Sequence, residues 1–520
     1  MKKLLISCFA ALLLLFGGAS EAQADEYLRV GMEAAYAPFN WTQDNNANGA
    51  VPIEGTSQYA NGYDVQVAKK VAKKLNKKLL VVKTSWTGLI PALTSGKIDM
   101  IAAGMSPTEE RKKEIAFSDS YYTSEPVLVV RADGKYAKAE KLSDFSGAKI
   151  TAQQGVWHVN LIPQISGVKA QTPMGDFSQM RQALSSGVID AYISERPEAM
   201  TAENANSAFK MVTLKKGFQV SESDAAIAVG MRQNDVRLNQ VNTVLATMTE
   251  KDRIALMDKM VAQQPKEKKA ADVTKPSFLD QMLTILKKNW RQFLRGTGMT
   301  LLISMIGTIV GLLIGLLIGI YKTAPKAKNK GLAILQTAFN WLLNIYIEIF
   351  RGTPMIVQSM VIYYGTAQAF GISLDRTLAA IFIVSINTGA YMSEIVRGGI
   401  FSVDKGQFEA ATALGFSHRQ TMRKIVLPQV VRNILPATGN EFVINIKDTS
   451  VLNVISVVEL YFSGNTVATQ NYQYFQTFTL IAIIYFILTF VVTRILRLIE
   501  KRFDEDNYTT ESNQVMPQEV

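Results

Sequence analysis

The sequence has almost none of the residues that build metal centres or disulfide frameworks. It contains one cysteine, Cys8, and two histidines, His158 and His418, which are far apart in the chain. A lone cysteine forms no disulfide within the chain, and two separated histidines leave little for a zinc site. These counts exclude a disulfide-rich scaffold and argue against metal chemistry.

Charged residues are scarce as well, at 19% of the 520 residues, whereas 48% are hydrophobic. The mean hydropathy of +0.10 averages soluble and strongly apolar segments, and this composition excludes disorder for most of the chain. A net charge of +11 is compatible with nucleic-acid binding, but in a chain with membrane spans Lys and Arg mark cytoplasmic loops. We therefore predict a membrane protein and expect no nucleic-acid partner.

The sequence also lacks a phosphate-binding loop of the form Gly-x-x-x-x-Gly-Lys-Ser/Thr. Energy from nucleotide hydrolysis would therefore have to come from another polypeptide. We expect that the chain is not an enzyme, binds no cofactor itself and depends on a partner for any use of ATP.

The N-terminal half divides into three segments. Residues 1–24 have a basic start, an apolar run and a small-residue end, which is the pattern of a secretory signal. In residues 25–264, short β-rich runs alternate with helical patterns, which predicts an α/β domain. Residues 265–277 are polar, lie between prolines and have no periodicity, so we interpret them as a linker.

A helical pattern follows at 278–295, where Phe278, Met282, Leu286 and Phe293 share one face. One interpretation is an amphipathic helix that lies along the membrane surface. The other is an extension of the first membrane span, and the pattern alone does not decide between the two.

Residues 296–503 contain stretches apolar enough to cross a membrane, which requires about 20 residues. Four glycines, from Gly307 to Gly319, recur every fourth residue and predict a smooth face that another helix can approach closely. A fourth stretch carries charges and prolines, so hydropathy alone would miss it. We predict an all-α domain with about five spans, at 297–321, 342–366, 376–396, 427–447 and 474–495.

An odd number of spans places the two ends of the domain on opposite sides of the membrane. The loops after the first and third predicted spans and the segment after the last are rich in Lys and Arg. By the positive-inside rule these segments, with the tail 504–520, are cytoplasmic. The N-terminal domain is then extracytoplasmic, in a multi-pass protein of the cell membrane.

Several separated motifs in the soluble half share their order and spacing with a known family. They read Glu33-Ala34-Ala35-Tyr36-Ala37-Pro38-Phe39, Gly62-Tyr63-Asp64, Ser85-Trp86-Thr87-Gly88-Leu89-Ile90-Pro91-Ala92-Leu93 and Gly104-Met105-Ser106-Pro107-Thr108-Glu109-Glu110-Arg111. This series resembles the extracellular solute-binding proteins (family 3 type) of polar amino-acid importers, over about 27–264. The resemblance implies a two-lobed α/β clamshell that closes over one free L-amino acid. Lobe one would comprise 27–128 and 229–264, and lobe two 131–223.

The resemblance also implies how the amino acid is held. Arg111 would grip the carboxylate, because a guanidinium offers two parallel donors. Ser106, where many relatives have Thr, and the backbone of Gly104 would complete that grip. Glu195 lies where relatives place an acid against the α-ammonium group.

Tyr36 and Trp86 would sandwich the aliphatic part of the ligand. Glu33 would meet a cationic or amide side chain, or else cap local backbone, and it is the main reason to expect a polar or basic ligand. Considered alone, Arg111 would be a solvated helix charge and the two aromatics core residues. Lobe two would add contacts from Gln153, Gln154 and Gly155.

In the membrane half, Glu409-Ala410-Ala411, then Gly415, then Ile425-Val426-Leu427-Pro428 match the signature of binding-protein-dependent ABC importer permeases. Motifs such as Arg351-Gly352-Thr353-Pro354 and Lys447-Asp448-Thr449-Ser450 resemble the histidine/glutamine subgroup, so the similarity covers about 290–503. It implies that the segment from Glu409 to Gly415 forms a short helix in a groove of a cytoplasmic ATPase. An isolated Glu-Ala-Ala is common in ordinary connectors, but that alternative does not explain the full spacing.

Three charged residues, Glu441, Lys447 and Asp448, fall at or near membrane depth. Unpaired charge is expensive there, so these side chains should face a translocation pathway or one another. The sequence leaves both alternatives open.

Together these features predict one chain that is both the substrate-binding and the permease subunit of an ATP-driven importer of polar or basic L-amino acids. Five spans cannot enclose a pathway alone, so we expect a homodimer or a paired permease in the lipid bilayer, with a separate ABC ATPase. An amino-acid-gated ion channel shares the clamshell and is the alternative. Such channels insert their pore helices between the lobes, whereas here every span follows them.

Overall fold

The computed structural model describes residues 26–264, 277–327, 329–372, 374–471 and 473–505. The predicted signal at 1–24, nearly all of the linker and nearly all of the tail lie outside these residues. The described chain confirms the predicted order of an α/β domain followed by an all-α domain.

The binding domain is built from short strands that alternate with helices. Several strands are continuous apolar runs buried on both faces, as in Pro126–Arg131, which is typical of sheets covered by helices. The strands are β1 (Tyr27–Met32), β2 (Ala35–Tyr36), β3 (Asn40–Gln43), β4 (Val51–Pro52), β5 (Tyr59–Asn61), β6 (Lys78–Lys83), β7 (Met100–Ile101), β8 (Ala116–Thr123), β9 (Pro126–Arg131), β10 (Lys149–Thr151), β11 (Lys169–Ala170), β12 (Ala191–Glu195), β13 (Phe209–Val212) and β14 (Ala226–Met231). The helices are α1 (Tyr63–Lys74), α2 (Leu89–Thr94), α3 (Glu109–Lys112), α4 (Phe177–Ser185), α5 (Arg196–Ala205), α6 (Glu222–Ala225), α7 (Leu238–Ala246) and α8 (Glu250–Gln263).

Two five-stranded sheets form the cores of two lobes. The first has the order β6-β1-β7-β14-β8 and the second β11-β10-β12-β9-β13, with a small sheet β2-β3-β5-β4 in the first lobe. The chain enters lobe two between β8 and β9 and returns before β14. The predicted lobe boundaries are therefore displaced by a few residues, because β9 starts at Pro126 in the second sheet and β14 starts at Ala226 in the first.

The all-α domain begins at Phe278. Its helices are α9 (Phe278–Thr323), α10 (Lys330–Gly352), α11 (Met355–Met360), α12 (Thr366–Phe370), α13 (Arg376–Phe401), α14 (Lys405–Ala413), α15 (His418–Thr421), α16 (Leu427–Asp448), α17 (Leu460–Asn471) and α18 (Tyr474–Glu505). In the described chain, α9, α10, α13 and α18 are long and apolar enough to cross a membrane. The number rises to five when the helical segment His418–Ile455 and α17, which meet at a bend of 57°, are taken as one span.

Two predicted elements differ from the structure. The second span, predicted at 342–366, is instead the helix α10, because the chain is extended at Thr353 and Pro354 and cannot continue the helix there. The segment 278–295 forms no separate helix. It is the first part of α9, which starts at a capping box between Ser277 and Asp280, so the extension alternative describes this helix.

The predicted glycine face is confirmed as the contact between α9 and α13. A Cβ atom at Gly311 would lie 2.7 Å from the Cβ of Thr388, and one at Gly315 would lie 2.5 Å from the Cβ of Met392. The glycines therefore let the two parallel helices approach so closely that the backbone of α9 contacts α13. Asn445 of α16 joins the same contact by donating to the hydroxyl of Thr388 at 2.9 Å.

The binding domain contacts one end of the helical domain, at the start of α13 and α18. Glu54 pairs with Arg376 at 2.9 Å, and the ammonium of Lys97 donates to the carbonyl of Leu374 at 2.7 Å. From lobe two, Ser178 and Tyr474 share a hydrogen bond of 2.7 Å. The helix α14 follows the other end of α13, whose 26 residues correspond to about 39 Å of helix. The two domains thus place the binding lobes and the Glu409 motif at opposite ends of α13.

Candidate functional site

A small cavity lies between the two lobes. It collects eight of the ten residues that the sequence predicts for ligand contact: Glu33, Tyr36, Trp86, Gly104, Ser106, Arg111, Gln153 and Glu195. Sequence reasoning missed four further lining residues: Val156, Trp157, His158 and Phe177.

The topology of the first sheet explains why distant residues meet here. Parallel strands β1, β6 and β7 end at the same edge of the sheet. Glu33 follows β1, Trp86 follows β6 and Gly104 follows β7, so the three come together at that edge. Glu195, the last residue of β12, faces them from lobe two.

Arg111 connects the two lobes. It lies in α3, whose N-terminus is capped by the side chain of Thr108. Its guanidinium donates to the carbonyl of Ser106 at 2.9 Å and, across the cleft, to the carbonyl of Gly155 at 2.9 Å. The same group lies 5.1 Å from the centre of the Trp86 ring. The guanidinium of Arg111, which has the geometry of a bidentate donor, therefore lies at the junction of both lobes.

Two acidic side chains are buried in the cavity wall. Burial raises the pKa of Glu33 and that of Glu195 to about 8. The hydroxyl of Tyr36 donates to Glu195, and the side-chain amide of Gln153 lies 3.5 Å from a carboxylate oxygen of Glu33. Near Glu195, burial lowers the pKa of His158 to about 3, so this imidazole is neutral. The acids are thus protonated at pH 7 until a cation approaches.

Tyr36 and Trp86 both line the cavity, and their sandwich around the ligand stays a prediction. The ring of Tyr36 stacks on Phe39 at 5.0 Å and on Phe177 of lobe two at 4.8 Å, whereas Trp86 lies beneath Arg111. Tyr36 therefore joins the lobes through ring stacking. Phe177 follows a helix cap and carries no motif that would have identified it from the sequence.

Of the three lobe-two residues predicted to contact the ligand, two lie at the cavity and one does not. Gln153 lines the cavity, and Gly155 supplies the carbonyl that accepts from Arg111. Gln154 is exposed, and its backbone N–H donates to the carbonyl of Met174 at 2.7 Å, so it lies outside the cavity wall. Trp157, close behind this run, donates to the hydroxyl of Ser106 at 3.1 Å.

Gly104 is required by its surroundings. Its φ is +62°, and a Cβ atom there would lie 2.7 Å from Cε1 of Tyr36. The neighbouring hydroxyl of Ser106 donates to the carbonyl of Asp224 at 2.8 Å. This backbone therefore approaches the cavity closely and brings a hydroxyl with it.

A second candidate site surrounds α14 at the opposite end of the helical domain. Ala411 is buried, while Glu409, Ala410 and Leu414 are exposed, Leu414 at 76%. Gly415 ends the turn with φ +80°, and the next N–H donates back to the carbonyl of Ala411 at 3.0 Å. The result is a short helix with a small-residue face and an exposed leucine. It is held on the domain by the buried Ala411, by the packing of Phe408 and by a hydrogen bond of 2.6 Å from Gln429 to Gln407.

The two halves of the chain match two family descriptions. Residues 28–263 match the bacterial extracellular solute-binding proteins, family 3. Residues 311–505 match the inner membrane component of binding-protein-dependent transport systems.

Individual relatives cover each half. The chain is 40% identical over 172 residues to the glutamine transport system permease protein GlnP of Escherichia coli (strain K12), which covers 32% of this chain and 78% of that protein. It is 34% identical over 169 residues to the arginine transport system permease protein ArtQ of Bacillus subtilis (strain 168), covering 32% and 77%. The arginine-bound truncated ArgBP from T. maritima is 30% identical, with a TM-score of 0.37, and covers 44% of this chain and 100% of that one.

The matched regions follow the two structural domains and keep their order. The Escherichia coli permease is 40% identical to this chain and is covered over 78% of its length, which shows the family of the membrane half. The match to the solute-binding proteins accounts for the two-lobed domain. The chain therefore belongs to the binding-protein-dependent transport permeases, and it carries a family 3 solute-binding domain in the same polypeptide as its membrane component.

Proposed function

We propose that this chain captures a polar or basic free L-amino acid between its two lobes and passes it through its membrane domain, driven by a separate cytoplasmic ABC ATPase. The cavity carries this proposal, because it combines the guanidinium of Arg111 with the carboxyl group of Glu195. These groups complement the carboxylate and the ammonium of an amino acid, both of which need partners once water is expelled. The relatives named for glutamine and for arginine transport support the polar class.

In the loaded cavity the ligand carboxylate takes the place of the Gly155 carbonyl as acceptor for Arg111, beside the Ser106 hydroxyl and the Gly104 backbone. Glu195 ionises and receives the α-ammonium. Tyr36, Trp86 and Phe177 pack against the aliphatic part, while Glu33 and Gln153 receive the polar end of the side chain. Gln154 is assigned no contact.

Orientation follows from the contacts between the domains. The binding lobes contact the start of α13, which we place outside the cell, and α14 follows its end, on the side of the Lys-rich and Arg-rich loops. The exposed Glu409, Ala410 and Leu414 then present a cytoplasmic surface to the ATPase. ATP-driven movement at this surface is transmitted along α13 toward the binding lobes.

Polar residues on α16 support a second permease copy or a paired permease. Asn433, Asn440 and Lys447 recur every seventh residue, and all three are exposed in the single chain. Glu441 and Asp448 beside them are half-buried. A charged face exposed to lipid is costly, so we propose that a partner permease covers it and that these residues border the translocation pathway.

The order of the domains disfavours an amino-acid-gated channel. Both lobes are complete at residue 263, and the spanning helices of the described chain begin at Phe278. No pore helix interrupts the clamshell within residues 26–263.

Replacement of Arg111 by alanine should raise the Kd of the ligand at least about a hundredfold, because the ligand carboxylate loses a buried charged donor. Arg111→Lys should restore only part of the affinity, since an ammonium lacks the paired donors. Lys112→Ala is the matched control, because Lys112 is exposed on the same helix. Calorimetric titration of the full chain measures this, and equal affinities for wild type and Arg111→Ala would remove Arg111 from the site.

Ligand affinity should depend on pH in a defined direction. Since the pKa of Glu195 is about 8 in the empty cavity, binding of an ammonium group must release a proton at lower pH. The Kd should therefore fall about tenfold for each unit by which the pH rises between about 6 and 8. A cationic side chain at Glu33, whose pKa is also about 8, should release a second proton and steepen this slope. Titrations in buffers of different ionisation enthalpy count the protons, and a Kd that does not change over this range contradicts the assignment.

A valine at Gly415 should weaken association with the ATPase and leave ligand binding intact. Its positive φ is strained for valine by about 1–3 kcal/mol, which distorts the end of α14. Gly371→Val is a matched control, because Gly371 also has positive φ (+67°) and open space around it, but ends α12 at the other side of the domain. Co-purification with the ATPase distinguishes them, and equal losses in both variants would exclude a specific role for the Glu409 helix.

A further inference from the structure

Lys83, at the end of β6, is a buried contact between the binding domain and the membrane domain. Its ammonium donates to the hydroxyl of Thr466 in α17 at 2.8 Å and to that of Thr42 at 3.4 Å, and lies 5.2 Å from the centre of the Phe462 ring. The residue is only 8% exposed. Among the described residues no acidic side chain forms an ion pair with it. A buried ammonium without a carboxylate partner costs free energy, so the presence of a lysine here requires a structural or functional explanation.

The segment that carries Lys83 also builds the cavity wall. Lys83 is paired with Met32 in the parallel sheet, so Glu33 is the next residue on the adjacent strand. Trp86, three residues after Lys83, lines the cavity together with Glu33. Thr42, which accepts from Lys83, donates to the carbonyl of Ala34 at 2.7 Å. The permease contact and the cavity wall are therefore parts of one short, hydrogen-bonded unit.

The charges of this unit also act on each other. Burial lowers the pKa of Lys83 to about 7, and the nearby Glu33 carboxylate opposes that shift. Burial raises the pKa of Glu33 to about 8, and the Lys83 ammonium opposes that shift in turn. A change at Glu33 in the cavity therefore changes the stability of the ammonium at Thr466.

We propose that Lys83 is a positioning residue that couples occupancy of the cavity to docking of the binding domain on α17. A ligand that fixes Glu33 and Trp86 also fixes the segment that presents Lys83 to Thr466. Coupling between two sites is reciprocal, so the contact with Thr466 in turn strengthens ligand binding. This inference rests on the proposed function only in taking an amino acid as the occupant of the cavity.

The test is a double-mutant cycle on ligand affinity in the full chain, reconstituted in nanodiscs, with L-glutamine and L-arginine as probes. Thr466→Val removes one hydroxyl and keeps the side-chain shape, at a residue that does not line the cavity. It should raise the Kd about threefold or more in the wild type and have no effect in a Lys83→Met background. Lys83→Met and Glu33→Gln should likewise combine non-additively, by a factor of about threefold or more.

The matched control is Glu54→Gln, which removes the ion pair with Arg376 at the same interface without touching the cavity wall. Its effect on the Kd should be much smaller than that of Thr466→Val. Equal effects of Glu54→Gln and Thr466→Val, or an effect of Thr466→Val that persists in Lys83→Met, would overturn the role of Lys83. Absence of binding of any amino acid to the wild type would instead contradict the proposed function itself.

Discussion

Ligand binding by this protein depends on ionisable side chains that are buried away from water. Each needs a charged or hydrogen-bonding partner, and the empty cavity supplies such partners only in part. In the cavity, Arg111 relies on two backbone carbonyls, while burial keeps Glu33 and Glu195 protonated at neutral pH. A zwitterionic ligand supplies the missing carboxylate and ammonium at once. In the proposed binding mode, lobe closure and ligand recognition have the same physical origin, since the guanidinium that connects both lobes is the one assigned to the ligand carboxylate.

The same constraint extends to the contact between the domains. Lys83 and Lys97 both bury their ammonium groups against the helical domain, and burial lowers the pKa of each to about 7. The Lys83 ammonium donates to hydroxyls and the Lys97 ammonium to a carbonyl, and each lies over an aromatic ring. Such contacts are sensitive to small displacements, so a lobe that moves a little loses them. Docking of the binding domain on the helical domain therefore depends on the shape of the binding domain.

The sequence allowed the fold class and most of the cavity to be predicted, because its motifs lie at strand ends that a parallel sheet brings together. It did not reveal Phe177 or His158, which reach the cavity only through the packing of lobe two. The break at Pro354 was misjudged because apolar composition continues through it, although proline ends the helix. The helix α16 is among the predicted spans, although its charges and prolines hide it from hydropathy alone.

In the proposed function, ligand capture by the lobes and ATP hydrolysis by the ATPase docked at the Glu409 helix drive transport together. The most direct measurement is uptake of radiolabelled amino acid into proteoliposomes that contain this chain, with or without its ATPase and internal ATP. We expect accumulation against a gradient only when both the ATPase and ATP are present. Accumulation at the same rate without either component would contradict it.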